Sequence, residues 1–219
     1  MFRRMLTEVR VELLQGERLN RSTGVMVVGG RIQQIVMESG LVLAGQQFID
    51  ATYEGDLMAA SRVTYTIGRE DNSAYGETLN GNQVRANTHN HRFLKPVDPF
   101  RIPGDRSSGL LPGIEDAGAG QEGAGDKRIQ AYCFRMCMSK SPQNRRPFPK
   151  PDGYDEHNYE LLLRNFEAGD LRLPLSPDMM PNLKTDTNNN CAVSTDFPGG
   201  NYRYPEADYA EREIGRAHV

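Results

Sequence analysis

Apolar residues recur along this chain at spacings that change with position. Phe2, Met5, Leu6 and Val9 fall at helical intervals, because residues three and four apart share one helix face. Arg10-Val11-Glu12-Leu13-Leu14 then turns toward an extended pattern. Val25-Met26-Val27-Val28, Arg31-Ile32-Gln33-Gln34-Ile35-Val36-Met37 and Leu41-Val42-Leu43 are separated by Gly29-Gly30 and Glu38-Ser39-Gly40. Apolar runs broken by such turns predict a β-meander of three strands. Gln47 to Asp50 predicts a further, buried strand. It runs into a small-residue turn, Ala51-Thr52-Tyr53-Glu54, and the turn opens a helix whose first residues are Gly55 and Asp56.

The texture changes near Val63. Short apolar runs alternate with Asn, Asp, Gly and Pro, and Ser107 to Gly125 is Gly-rich without periodicity, which predicts an exposed mobile loop. Lys127 to Met138 reads as a strand, with Cys133 and Cys137 on one face. Asn144 to Tyr154 is irregular, Tyr159 to Phe166 is helical with an end near Gly169, and Pro181 to Asn201 reads as polar loop. Pro205 to Arg212 starts a helix with Pro in its first turn and early carboxylates. The expected organisation is residues 1–62 as one unit, 63–200 as a second, and 201–212 as a returning helix.

The tail Glu213-Ile214-Gly215-Arg216-Ala217-His218-Val219 interrupts that last helical pattern. It can be back-translated into the text of a common short-read sequencing adapter, so residues 213–219 are expected to be foreign to the fold.

Composition narrows the function classes. The 219 residues carry 26 basic and 29 acidic side chains and a formal charge of −3, which provides no drive toward nucleic acid or an anionic membrane surface. No apolar run has the length of a membrane span, and no signal-peptide pattern opens the chain; cytoplasm is the default expectation. The 3 cysteines are too few for a disulfide scaffold or the four thiolates of an iron–sulfur cluster. If Cys133 and Cys137 lie on one strand, their Cα atoms stand roughly 13 Å apart, beyond the ~7 Å limit for a bridge. Buried free thiols are expected.

The stretch Phe48-Ile49-Asp50-Ala51-Thr52-Tyr53-Glu54-Gly55-Asp56-Leu57-Met58-Ala59 carries the most specific signal. A strand, a turn of short side chains and a helix start let a dinucleotide approach bare backbone, with helix N–H groups facing its oxygens. Its spelling resembles the Asp-Ala-Thr-x-x-Gly-Asp motif of FAD-dependent oxidoreductases with a two-domain flavoprotein fold. Tyr53 is a departure, since broader flavoprotein relatives often have Gly there. Further stretches resemble the same family: Asn90-His91-Arg92-Phe93, Pro96-Val97-Asp98-Pro99-Phe100-Arg101, Gly109-Leu110-Leu111-Pro112-Gly113, Asp126 to Tyr132, Arg145 to Pro149, and Lys184-Thr185-Asp186-Thr187-Asn188-Asn189. The resemblance runs from Phe2 to about Arg212.

The resemblance implies an α/β (or α+β) flavoprotein that transfers a hydride between an organic substrate and flavin. Residues 1–62 would be the distal part of a Rossmann-like FAD-binding domain, with the meander as its crossover connection, and residues 63–200 a loop-rich substrate domain. The family's Gly-x-Gly-x-x-Gly turn is not found before Asp50, so the chain is expected to be an internal piece of a longer enzyme, inactive alone. Ala51, Thr52, Gly55 and Asp56 are the expected FAD-contacting residues. Some relatives carry iron–sulfur clusters.

Candidate catalytic groups follow from side-chain chemistry. His91 beside Arg92 suits taking a proton from, or polarising, a substrate oxygen. Lys184 and Asp186 lie in a run dense in short donors and acceptors, suited to a small polyhydroxylated substrate. His89 and His91 could share a strand face as a metal pair, but no third ligand stands at useful spacing, and no metal is expected. Arg145-Arg146 reads as a salt-bridged surface pair. A β-rich carbohydrate-binding module without catalysis is the competing reading, and a His-pair metalloenzyme a lesser one. Oligomeric state is not legible.

Overall fold

A computed structural model describes residues 2–85 and 90–217, with side chains up to Glu213 at the C-terminal end. Helices and small antiparallel sheets mix in an α+β arrangement. The chain divides into two compact units, Met1–Thr66 and Ile67–Val219. No helix among the described residues is long and apolar enough to cross a membrane.

The first unit begins with α1 (Phe2–Glu8), where the helical spacing predicted it. The extended pattern at 10–14 forms no ladder: Arg10 takes a positive φ of 56°, and Val11 N donates back to the Leu6 carbonyl. The meander is present as β1 (Val25–Val28), β2 (Arg31–Val36) and β3 (Val42–Ala44), paired antiparallel in that order. Val28 faces Arg31 across Gly29 and Gly30, whose φ values of 57° and 75° are the pair a tight two-residue hairpin needs. Gly24 is confined for another reason: a Cβ there would overlap the carbonyl oxygens of Asn20 and Val36. Among the described residues no apolar side chain of this unit is buried.

Gln47 to Asp50 is not a buried strand. It pairs with no other strand, and Ile49 is 87% exposed. Apolar composition makes a buried strand only when a neighbouring strand and a covering layer are present. The turn after it ends in α2 (Asp56–Ala60), with Gly55 at the N-cap in the left-handed region.

The second unit is assembled from hairpins fastened by polar contacts. After α3 (Asn72–Tyr75), β4 (Phe100–Ile102) pairs with β5 (Asp105–Leu110). The Gly-rich segment is therefore a strand at its start. At its far end Gly123, Ala124 and Asp126 exchange main-chain hydrogen bonds with Asn72, Asn82 and Arg69. Gly81 and Gly123 lie so close to their neighbours that a Cβ at Gly81 would meet main-chain atoms of 123 and 124, and one at Gly123 the Asn72 amide. Those glycines serve close packing rather than a free excursion.

The helix α4 (Glu160–Glu167) follows a 3₁₀ turn and ends near Gly169, as its periodicity predicts. Arg164 fastens it to the β4–β5 hairpin by donating to the carbonyls of Asp98, Phe100 and Arg101. The expected polar loop at 181–201 contains a strand instead: β6 (Leu175–Met180) and β7 (Lys184–Asn189) form a regular antiparallel hairpin. Thr185 and Thr187 point inward, 6% and 0% exposed, while Lys184 and Asp186 alternate outward. β-branched Thr at every second position satisfies a strand as apolar residues would.

Cys133 to Lys140 runs along the other side of β7 as an irregular extended segment. It makes single bridges at Cys133, Met136 and Ser139 and forms no continuous strand. Of the three thiols, all free, only Cys191 is buried as expected; Cys133 is half-buried and Cys137 exposed. The last helix, α5 (Tyr209–Ala217), starts after a short 3₁₀ turn that holds Pro205, with Asp208 accepting from Glu211 N. The helix continues through the first residues of the tail set aside above.

The buried set of this unit is unusual in its chemistry. Leu111, Cys191 and Ala207 are buried, against Asn82, Asn165, Asp170, Thr185, Thr187, Asn201 and Arg212. Arg212 donates to the Tyr204 and Pro205 carbonyls. With little apolar area to bury, the unit is held by guanidinium groups spanning main-chain carbonyls.

Candidate functional site

The Asp50–Asp56 turn is organised around one carboxylate. Asp50 accepts from the Thr52 amide at 3.0 Å and the Thr52 hydroxyl at 2.7 Å. It also accepts from the amides of Leu57 at 3.0 Å and Met58 at 3.3 Å. Thr52 Oγ1 accepts in turn from Gly55 N. Burial pushes the Asp50 carboxyl up, but the Thr52 hydroxyl and the three amides outweigh it, and the net shift is downward. Asp56 pairs with Arg21 at 3.2 Å.

This arrangement changes what the motif offers a cofactor. Two of the amides at the start of α2 expected to face phosphate oxygens, those of Leu57 and Met58, are already occupied by Asp50. The helix start therefore does not fit a pyrophosphate cradle. Ala51, Thr52 and Tyr53 are exposed on a backbone immobilised by Asp50, and they fit a wall against which a planar or ribosyl group packs. Gly55 and Asp56 hold the turn: Gly55 has φ 66° and Asp56 has its Arg21 partner.

In the second unit, His91 is the centre of a polar cluster. Its Nδ1 lies 3.1 Å from the Cys191 carbonyl oxygen. A carbonyl only accepts, so Nδ1 carries the proton and, in the neutral ring, Nε2 does not. The Asp196 carboxylate stands 4.0 Å from the same nitrogen, and its other oxygen, Oδ1, is buried with no hydrogen-bond partner. Cys133 Sγ donates to Asn188 Oδ1 at 3.2 Å, and Cys133 itself bridges to Asp196.

Behind His91 stands a second pair. Arg172 reaches both oxygens of Asp170, Nε to Oδ1 at 2.8 Å and Nη2 to Oδ2 at 2.6 Å. The Arg172 hydrogen bond, opposed by desolvation, holds the Asp170 carboxyl down at about 2. Asn165 is fully buried, and neither of its amide atoms has a hydrogen-bond partner. Burial pushes the Cys191 thiol up, against the pull of the Arg172 charge, so it is a poor nucleophile.

The structure does not gather all the residues expected to act together. Arg92 is exposed, and its contribution to the cluster is its carbonyl. Lys184 is exposed at the far end of β7; about 3.3 Å per residue places it ~17 Å from Asn189. Asp186 is half-exposed and paired with Arg135 at 2.6 Å. The strand thus keeps both away from His91. His89 lies outside the described residues, and among those described no group of three or more His, Cys, Asp or Glu could hold a metal ion. Arg145 and Arg146 line a concavity with Pro142 and Pro147; among the described residues neither has the salt-bridge partner expected of it.

Sequence reasoning missed Asp170, Arg172, Asn165 and Asp196. Asp-x-Arg after Gly169 was a local signal of a carboxylate–guanidinium pair, but nothing in the spacing connects it to a histidine about 80 residues earlier.

No curated protein and no solved structure matches the chain. The family model described as FAD dependent oxidoreductase matches residues 1–219, the whole length, and the family works with FAD. An exposed, carboxylate-locked Asp-Ala-Thr turn in one unit and a tautomer-fixed histidine in the other thus belong to a chain of the FAD dependent oxidoreductase family.

Proposed function

We propose that the chain is part of a flavoenzyme that transfers a hydride between a small hydroxylated organic substrate and FAD, with His91 as the base for the substrate proton. The observation that carries this reading is the His91 Nδ1 contact to the Cys191 carbonyl, which leaves Nε2 as the unprotonated nitrogen. Bound FAD supplies the hydride acceptor at its ring. As a substrate C–H leaves as hydride, the O–H proton passes to Nε2 and the carbonyl product forms. Asp196 then places negative charge beside a ring that has gained a proton. Ala51 and Thr52 would line the cofactor, and Gly55 and Asp56 would hold their turn.

We further propose that Met1–Thr66 works as part of a larger Rossmann-like FAD domain in which the β1–β3 meander is a crossover connection. Its support is the absence of any buried apolar side chain in the described residues of this unit, which leaves little to stabilise it by itself. The 219-residue chain alone is then expected to hold no stoichiometric FAD. A yellow, monodisperse protein from this chain with added FAD would refute that.

The test of function uses protein expressed from the natural reading frame. Anaerobic bleaching of the flavin absorbance is followed with a panel of polyols and sugars. His91→Gln should slow bleaching by about 10²–10⁴-fold with flavin content retained. Unchanged bleaching in that variant would remove His91 from the chemistry.

A further inference from the structure

The His91 loop is held by more than its own side chain. Arg172 Nη1 donates to the Asn90 carbonyl at 3.2 Å and Nη2 to the Arg92 carbonyl at 3.0 Å. One guanidinium therefore grips the main chain on both sides of His91 while its Nε and Nη2 face Asp170. Asp170 is anchored in turn: its side chain is 1% exposed, and it accepts from the Arg172 amide at 3.3 Å. From the opposite direction, Cys191 presents its carbonyl to His91 Nδ1 and donates its thiol to the Leu173 carbonyl at 3.1 Å, next to Arg172. The two contacts to His91 thus come from one hairpin, β6–β7, entered at Arg172 and left at Cys191.

We infer that Arg172, fixed by Asp170, is a positioning residue for His91: it sets the loop so that the ring meets the Cys191 carbonyl and is confined to the Nδ1–H tautomer. This rests on the reading of His91 as the base, and it adds the device that makes Nε2 the reactive nitrogen. An arginine is required, because two divergent carbonyls and a bidentate carboxylate need a planar fork. A lysine ammonium offers a point charge and cannot hold both carbonyls. Without the grip the ring is free to take the Nε2–H form that isolated neutral imidazole favours, in which the nitrogen facing substrate already holds its proton.

The tautomer is readable without turnover. Long-range proton–nitrogen NMR of histidine-labelled protein, with His91 assigned from its absence in His91→Gln, distinguishes a protonated from an unprotonated Nε2. Measured with the ring in its neutral form, the wild-type protein should show Nδ1 protonated and Nε2 bare. A wild-type Nε2–H signal overturns the proposal outright, whether or not any variant folds. Arg172→Lys, and more mildly Asp170→Asn, should move the signal toward the Nε2–H form. In the FAD-loaded protein Arg172→Lys should lower kcat by about 10²-fold, as a small misplacement of a reacting group does, with KM little changed. A folded Arg172→Lys protein that keeps the wild-type tautomer overturns the positioning role. If the tautomer moves in Arg172→Lys while His91→Gln bleaches at the wild-type rate, positioning stands and the base assignment alone falls.

Discussion

Replacing Asp50 with Ala removes the one acceptor that joins the Asp-Ala-Thr turn to the first turn of α2. Four donors lose their partner: the Thr52 amide and hydroxyl and the amides of Leu57 and Met58. Deleting an N-cap acceptor costs about 1 kcal/mol and up to ~2, whereas a hydrogen bond to a charged group contributes ~1.5–3 kcal/mol when shielded. The turn is largely solvated, so the four bonds do not add at that higher figure; about 2 kcal/mol for local opening is the expected cost. At 1.36 kcal/mol per tenfold, that is about 30-fold in the opening equilibrium. Hydrogen exchange at the Leu57 and Met58 amides measures it, with the β1–β2 ladder amides of the same unit as internal reference. Protection at Leu57 and Met58 should fall by about that factor, or to the unprotected rate. The meander should change little. Asp50→Asn, which keeps an oxygen but no charge, should lie between. Wild-type protection at both amides in Asp50→Ala would show that the carboxylate does not organise the turn, and the account of why α2 cannot cradle phosphate would fail with it.

In protein expressed from the natural reading frame, Gly55→Val should reduce FAD content more than His91→Ala, because a β-branched residue is strained at φ 66° and displaces Ala51 and Thr52; equal flavin-to-protein absorbance ratios would oppose this. Asp170 has a folded-state value of about 2, below the ~3.9 of an unfolded Asp. Its stabilisation is therefore full above that unfolded value and lost as pH falls through about 2, so Asp170→Asn should flatten the acid limb of thermal stability between pH 4 and 2. Thr187→Ala, at 0% exposure and with its hydroxyl 2.8 Å from that of Thr185, should destabilise the second unit by ~1–3 kcal/mol in denaturant melts. Asp186→Ala breaks an exposed pair with Arg135 and should stay within ~1 kcal/mol.

Periodicity and turn chemistry were enough to place α1, the β1–β3 meander, the start of α2 and the body of α4. Each depends on contacts between residues near in sequence: Gly29-Gly30 closes its hairpin locally, and the face of α4 repeats within two turns. The family, too, was legible, because Phe48 to Ala59 and the later stretches keep their spelling whatever surrounds them. β7 was not legible. Its six residues are polar, and only pairing with Leu175–Met180 on one side and Met136–Met138 on the other gives Thr185 and Thr187 an inside. Gln47–Asp50 failed in the opposite sense, apolar enough for a strand but with no strand beside it. The same holds for the site. Sequence named His91 and the Asp-Ala-Thr turn by side-chain chemistry, and it grouped Lys184 and Asp186 with His91 by composition. Tertiary structure decided that Asp50 occupies the helix amides, that Lys184 and Asp186 face away along β7, and that Arg172 and the Cys191 carbonyl grip His91 from 81 and 100 positions downstream. Contacts across such separations leave no periodic trace, because nothing in local spacing encodes which distant carbonyl a guanidinium will meet.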